Sequence, residues 1–266
     1  MEHMSEPLGV DADNSKSQKR ADGGLGETIK VVFQALLIAL VVRTLLFQPF
    51  NIPSGSMIPT LLIGDFLFVS KYSYGYSRYS IPFSPNVFSG RLLASRPKRG
   101  DVVVFKLPRD TSSDYIKRVI GLPGDKIQMA DGRLYINGQL VPREPIAKVR
   151  TEDRFGRLTE VPTYKETLPG GVSHTIIEIE GDTGFNDNTG VYEVPPDHYF
   201  MMGDNRDNST DSRVPPEQGG VGYVPSENLV GRAEMIFFSV KDGAQAWEFW
   251  RWPWSVRFAR LFQPVR

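Results

Sequence analysis

Residues 29–50 read IKVVFQALLIALVVRTLLFQPF, and this one long apolar run limits the possible folds more than any other segment. A helix of about 20 apolar residues crosses a bilayer core, so a single transmembrane anchor is expected over 29–50, interrupted by Gln34 and Arg43. Arg43 stands far enough toward the exit end to snorkel to the interface. Lys16, Lys19, Arg20 and Lys30 fall before the span or at its start, which places the amino terminus in the cytoplasm and the rest of the chain outside. A cleaved leader and a buried core helix compete with this reading. Against the leader, Phe47, Gln48, Pro49 and Phe50 stand where a small-x-small cleavage site would be needed. Residues 1–28, polar and Gly-containing with mixed charges, are expected to be disordered.

Beyond residue 65 the texture changes to short apolar runs punctuated by Gly, Pro, Asn and Asp, the pattern of an all-β domain. Strands are expected at 66–70, 101–107, 115–120, 126–129, 133–136, 175–180, 198–202 and 232–240. Asp131-Gly132 and Asn137-Gly138 are hairpin-turn dipeptides, because both central residues of a type I′ turn need positive φ. The resulting fold class is mainly β: an antiparallel sheet domain over 51–244, with a smaller β subdomain at about 126–200. Residues 72–90 read as a surface loop, and the charged, Pro-containing 142–171 as an insertion or a ragged small sheet. Ser226 is placed to cap a brief helix. The last segment, 245–266, holds all four tryptophans, Trp247, Trp250, Trp252 and Trp254, among Arg251, Arg257, Arg260 and Arg266. Indoles and arginines favour the headgroup layer, so this tail is expected to lie on membrane lipid; packing on its own domain is the alternative.

With 31 basic and 31 acidic residues, the chain has no charge excess that would favour nucleic acid as a partner. It has no cysteine, which removes disulfides, thiol catalysis and thiolate metal sites. Of three histidines, His3 lies in the polar tail, leaving His174 and His198, too few for most zinc sites and a thin basis for a Ser-His-Asp triad.

The segment leaving the anchor, residues 49–65, reads PFNIPSGSMIPTLLIGD. Its three prolines fix φ and Gly55 permits close backbone approach, so Ser56 is presented rather than packed; a plain linker is the competing reading. A serine without a histidine is activated by a lysine only if burial keeps that lysine neutral. Lys117 is the candidate, on a strand whose alternation sends Tyr115, Lys117 and Val119 to one face and Arg118 to the other. Lowering a lysine pKa from about 10.4 to near 8 costs roughly 3 kcal/mol, and a lone strand lysine more often snorkels to solvent.

Four blocks in order, IPSGSM (52–57) with PTL (59–61), GDVVVF (100–105), YIKRVIGLPGD (115–125) and GDNRDNSTDSR (203–213), resemble those of bacterial type I signal peptidases. The resemblance runs from about residue 40 to about 240. It implies a membrane-bound serine endopeptidase of signal-peptidase fold on the outer face of the bacterial inner membrane. By the same resemblance Ser56 is the nucleophile, Lys117 the general base, and Ser54 with the Ser56 N–H the oxyanion hole. Ser209 would orient the lysine, while Asp204 with Arg118 and Asp211 with Arg213 brace the site. Ile52, Pro53, Met57, Leu61, Tyr115 and Ile116 would line a groove for an extended precursor with small residues one and three before the scissile bond. The implied partners are preprotein signal peptides and membrane lipid, with a monomeric enzyme and neither metal nor cofactor.

Some members of that family carry two spans before the nucleophile, where this chain has room for one. A calcium loop over 203–213 lacks the turn glycine and contains two arginines. A self-cleaving repressor-type peptidase would need a helix-turn-helix in place of the span. Ser95-Arg-Pro-Lys98 fits the Ser-x-x-Lys of penicillin-binding enzymes, but Lys-Thr-Gly is missing. The non-enzyme alternative is a membrane-anchored β-rich adaptor that binds extended peptides without cutting them.

Overall fold

The computed structural model describes residues 24–152, 158–241 and 247–266. Lys16, Lys19, Arg20 and the expected disorder of residues 1–23 lie outside them, as do residues 245–246 of the tail. Helix α1 (Gly24–Leu45) begins ahead of residue 29, so 24–28 are helical rather than disordered. It ends short of residue 50 because Pro49 cannot continue a helix and biases Gln48 toward extended backbone. From residue 26 onward the apolar side chains of this helix are exposed, and by length and composition it could cross a membrane. Met1–Val42 and Arg43–Arg266 form separate compact units.

Among the described residues the second unit has fifteen strands: β1 (Phe47–Asn51), β2 (Asp65–Ser70), β3 (Val102–Leu107), β4 (Asp110–Gly121), β5 (Lys126–Ala130), β6 (Arg133–Ile136), β7 (Gln139–Leu140), β8 (Arg143–Glu152), β9 (Leu158–Thr167), β10 (Ser173–Ile177), β11 (Tyr192–Glu193), β12 (His198–Met202), β13 (Val224–Pro225), β14 (Leu229–Ser239) and β15 (Gln263–Pro264). The mainly antiparallel β architecture expected from the sequence is borne out. One sheet runs β1-β2-β14-β3-β4-β12-β13, with β15 also paired to β14; β10-β9-β8 and β11-β5-β6-β7 form two smaller sheets.

Strand β3 shows how the main sheet is packed. Its run VVVFKL is apolar on both faces because both are covered: Val102 and Val104 join a core with Ile52, Met57 and Leu61, while Val103, Phe105 and Leu107 join another with Val119 and Met201. A third core, with Ile120, Phe200 and Met202, lies against β5 and β6. The β5–β6 and β6–β7 turns place Asp131, Gly132, Asn137 and Gly138 at positive φ, as their hairpin dipeptides require.

Two local expectations change, and of the two alternatives for 142–171 the small sheet is the one found. Within 72–90, Tyr74, Ser77, Tyr79 and Ser80 are buried, and the Tyr74 hydroxyl donates to Asp101 at 2.9 Å, so the segment is partly core. Residues 142–171 contain the β8–β9 hairpin, whose charged alternation conceals its strands from an apolar-pattern reading. Ser226 opens a one-turn 3-10 helix but its side chain caps nothing, and Pro225 occupies the cap position.

The tail divides its residues between protein and solvent. Arg260 Nε donates to the buried Asp65 at 3.0 Å, Trp252 packs on Phe238 at 5.1 Å between ring centres, and β15 pairs with β14. Trp247, Phe249, Trp250, Trp254, Phe258 and Phe262 remain exposed.

Candidate active site

The Ser56 segment is fixed from several sides. As β1 ends, Ile52 N–H donates to Asp65 O and Gly64 N–H to Ile52 O, which closes the loop that carries Ser56. Met57 and Leu61 anchor that loop in the core. From the far side, Asn205 N–H donates to Ser56 O at 3.1 Å and its side-chain amide to Gly55 O at 3.2 Å. Gly203 is the glycine this packing requires: a Cβ there would stand 2.5 Å from Ser56 O and 2.3 Å from Ser209 Oγ.

Lys117 reaches the same point from β4, where it pairs with Val103. Tyr115 and Val119 belong to one core and Ile116 to the other, so the expected alternation holds. Lys117 Nζ donates to Ser56 Oγ at 2.7 Å and to Ile116 O at 3.0 Å. The lysine is 3% exposed and Ser56 8%. Burial lowers the Lys117 pKa from 10.5 to about 8, and Arg213 pushes the same way against the raising effect of Asp211 and Asp204. Lys71, 2% exposed, is likewise lowered to about 8 by burial, but its ammonium donates to Ser80 O at 2.6 Å and not to a hydroxyl.

Ser54 is exposed and lines the same cavity of about 610 Å³ as Ser56 and Lys117. Among the described residues no backbone carbonyl accepts from Ser56 N–H. Ile52, Pro53, Tyr115 and Ile116 line the cavity, together with Asn208 and Thr210, which the sequence reading did not single out. Met57 and Leu61 do not line it; both are fully buried, their side chains used to hold the Ser56 loop on the sheet. Ser209 Oγ is buried beside Asp211 and, among the described residues, makes no hydrogen bond to Lys117, so the expected bond is not made in this arrangement.

Behind the pair, Arg118 is bidentate to Asp204 at 2.8 and 2.7 Å, and Thr60 Oγ1 donates to the same carboxylate. Burial would raise the Asp204 carboxyl, but Arg118 outweighs it and holds the group below the usual range. Asp211 accepts twice from the Arg213 guanidinium, both at 3.0 Å, and also from Gly203 N–H. Sequence reasoning missed a third buried pair: Arg206 is bidentate to Glu166 of β9. Ile177 N–H donates to Asp204 O and Arg206 N–H to Ile177 O, so β10 clamps the same loop. His174, buried beside Glu166 and Asp204, makes no side-chain hydrogen bond among the described residues, and burial lowers its pKa to about 4. It does not touch Ser56 by any hydrogen bond among the described residues, and His198 is bonded to Pro196 O.

Comparison with known proteins agrees with the four blocks. The family model described as signal peptidase, peptidase S26, matches residues 25–238. The chain belongs to the signal peptidase S26 family. A signal peptidase I of Rickettsia typhi is 44% identical over 243 residues, covering 87% of this chain and 86% of its own. One from Rickettsia canadensis is 45% identical over 212 residues, covering 77% and 76%. A solved signal peptidase I of Enterococcus faecalis, 26% identical over 52% of this chain and 97% of its own, superposes with a TM-score of 0.29, too low to bear on the fold. Membership of the S26 family makes the chain a serine peptidase, a hydrolase.

Proposed function

We propose that this S26 peptidase is a membrane-anchored endopeptidase that removes signal peptides from preproteins through a Ser56–Lys117 dyad. The observation that carries the proposal is the 2.7 Å bond between Lys117 Nζ and Ser56 Oγ, buried at the wall of the cavity. Neutral Lys117 takes the Ser56 proton as Oγ attacks the scissile carbonyl. The Ser56 N–H and the Ser54 hydroxyl stabilise the developing oxyanion, and each such donor is commonly worth about 3 kcal/mol. Collapse expels the new amine, which takes its proton from the Lys117 ammonium. Lys117 then deprotonates water, which hydrolyses the ester and frees Ser56. Ser209, buried beside Asp211, is the group for the third ammonium donor once Lys117 is charged.

The substrate binds by strand addition. β12 pairs with β4 only over Arg118, Val119 and Gly121, so among the described residues the edge of β4 before residue 118 has no strand neighbour on that side. An extended peptide on this edge has its scissile bond at Ser56 and its small side chains against Ile52, Tyr115 and Ile116, which favours Ala-x-Ala. Helix α1 is the anchor, oriented with the amino terminus in the cytoplasm and the β domain on the outer face. The exposed Trp247, Trp250 and Trp254 touch lipid.

The test is cleavage of a preprotein peptide ending its leader in Ala-x-Ala, in detergent or liposomes, by wild type, Ser56→Ala and Lys117→Ala. Cutting by wild type alone supports the dyad. Binding without cleavage by wild type turns the reading to the peptide-binding adaptor, and a fully active Lys117→Ala places the base elsewhere.

A further inference from the structure

Away from the dyad, three carboxylates from three segments converge. Glu178 follows β10, Asp187 lies in the loop before β11, and Asp207 sits between Asn205 and Ser209. One oxygen from each falls within 4.8 Å of one from the others. Glu178 and Asp187 are fully buried, and Asp207 is half-buried. Each anchors its own surroundings: Asp187 Oδ2 accepts from Gly184 N–H at 2.6 Å, Asp207 Oδ2 from Glu180 N–H at 2.7 Å, and Glu178 Oε1 lies 3.4 Å from Arg143.

That leaves oxygens with nothing to bind. Glu178 Oε2 and Asp187 Oδ1 are buried and have no hydrogen-bond partner among the described residues. A buried, unpaired carboxylate oxygen is expensive, so two within one carboxylate cluster point to a group that belongs there. Charge gives the same answer. Three carboxylates face one guanidinium, Arg143, which is shared with Asp182. The next cations are committed, Arg206 to Glu166 and Arg213 to Asp211. The cluster is short of positive charge by about two, the charge of a divalent cation.

We propose that Glu178, Asp187 and Asp207 bind a hard divalent cation of the Ca²⁺ or Mg²⁺ class, which ties the loop bearing Asn205 and Ser209 to the β10 end and the loop before β11. An all-carboxylate donor set with neither imidazole nor thiolate selects hard cations over zinc or copper. Because the ligands come from three separate segments, no consecutive calcium-loop pattern marks them in the sequence. Asp207 belongs to the Asp-rich 203–213 block, and its partners arrive only through the fold.

The experiment uses the full chain in detergent, stripped with EDTA, and reads binding and melting, neither of which depends on the peptidase reading. Equilibrium dialysis against Ca²⁺ and against Mg²⁺ is expected to give one bound cation per chain. Saturation at about a hundredfold over Kd is expected to raise Tm by about 5–10 °C. Both effects disappear in Asp187→Asn and in the half-buried Asp207→Asn, a milder change that keeps the test valid if the first variant folds poorly. Two results overturn the proposal. One is no binding of either cation to wild type at millimolar concentration, which leaves the carboxyls sharing protons. The other is binding that persists unchanged in Asp207→Asn.

Discussion

Raising pH through the Lys117 ionisation perturbs the dyad without altering a contact. With a pKa of about 8, the lysine is neutral in about one-tenth of molecules at pH 7 and about nine-tenths at pH 9. A base works in its neutral form, so kcat/KM is expected to rise about tenfold between those pH values and then level off. An unshifted lysine at 10.5 would instead give about a hundredfold rise over the same interval, with no plateau. The difference from 10.5 to about 8 represents about 3 kcal/mol, supplied mainly by removing the ammonium from water. The assay is cleavage of an internally quenched Ala-x-Ala peptide in detergent, at substrate well below KM, from pH 6 to 10. Lys71, the other buried lysine at about 8, is separated by Lys71→Met, which is expected to leave the acid limb in place. A limb at about 6.5, a rise continuing past pH 10, or a limb that moves in Lys71→Met would refute Lys117 as the base.

Asp204→Asn strands the buried Arg118 guanidinium, a loss of about 3–5 kcal/mol that thermal melting should register as a Tm lower by about 10 °C. Gly203→Ala drives a Cβ against Ser56 O, and cleavage is expected to fall about a hundredfold with the fold retained by circular dichroism. His174, flanked by Glu166, Asp204, Arg118 and Arg206, is held neutral with its folded pKa below the unfolded 6.5. Its contribution is therefore complete above about pH 6.5 and is lost as pH falls toward 4, up to about 3 kcal/mol; urea midpoints should fall less over that range in His174→Gln. Trp250→Ala with Trp254→Ala should weaken liposome binding of the chain lacking α1, while unchanged binding would remove the tail from the membrane. Deleting the tail is the poorer experiment, since Arg260 and β15 are part of the fold.

The legible parts of this chain were those in which one short segment carries its own constraint. The alternation about Lys117 and the two Xaa-Gly turns are local, and the structure places them as read; the prolines and Gly55 mark the Ser56 loop, but Ser56 is buried rather than presented because Met57 and Leu61 hold the loop on the core. What stayed hidden depends on who meets whom. Glu166 is ordinary in sequence until the fold delivers Arg206 to it across 40 residues. Met57 and Leu61 adjoin the groove in sequence, but the loop turns their side chains into the core. Strand β1 was masked by the apolar run before it, and β8 and β9 by their charges.

The Glu166–Arg206 bond has a consequence for anyone trimming this protein. The β8–β9 hairpin looks dispensable, a polar outgrowth remote in sequence from Ser56 and Lys117. Excising it would abandon a guanidinium that is 1% exposed, three residues before Ser209 and next to the Asn205 that holds Ser56. A minimal version of the enzyme would therefore keep Glu166 on a shortened hairpin, or replace Arg206 and its counter-ion together with an apolar pair of matched volume.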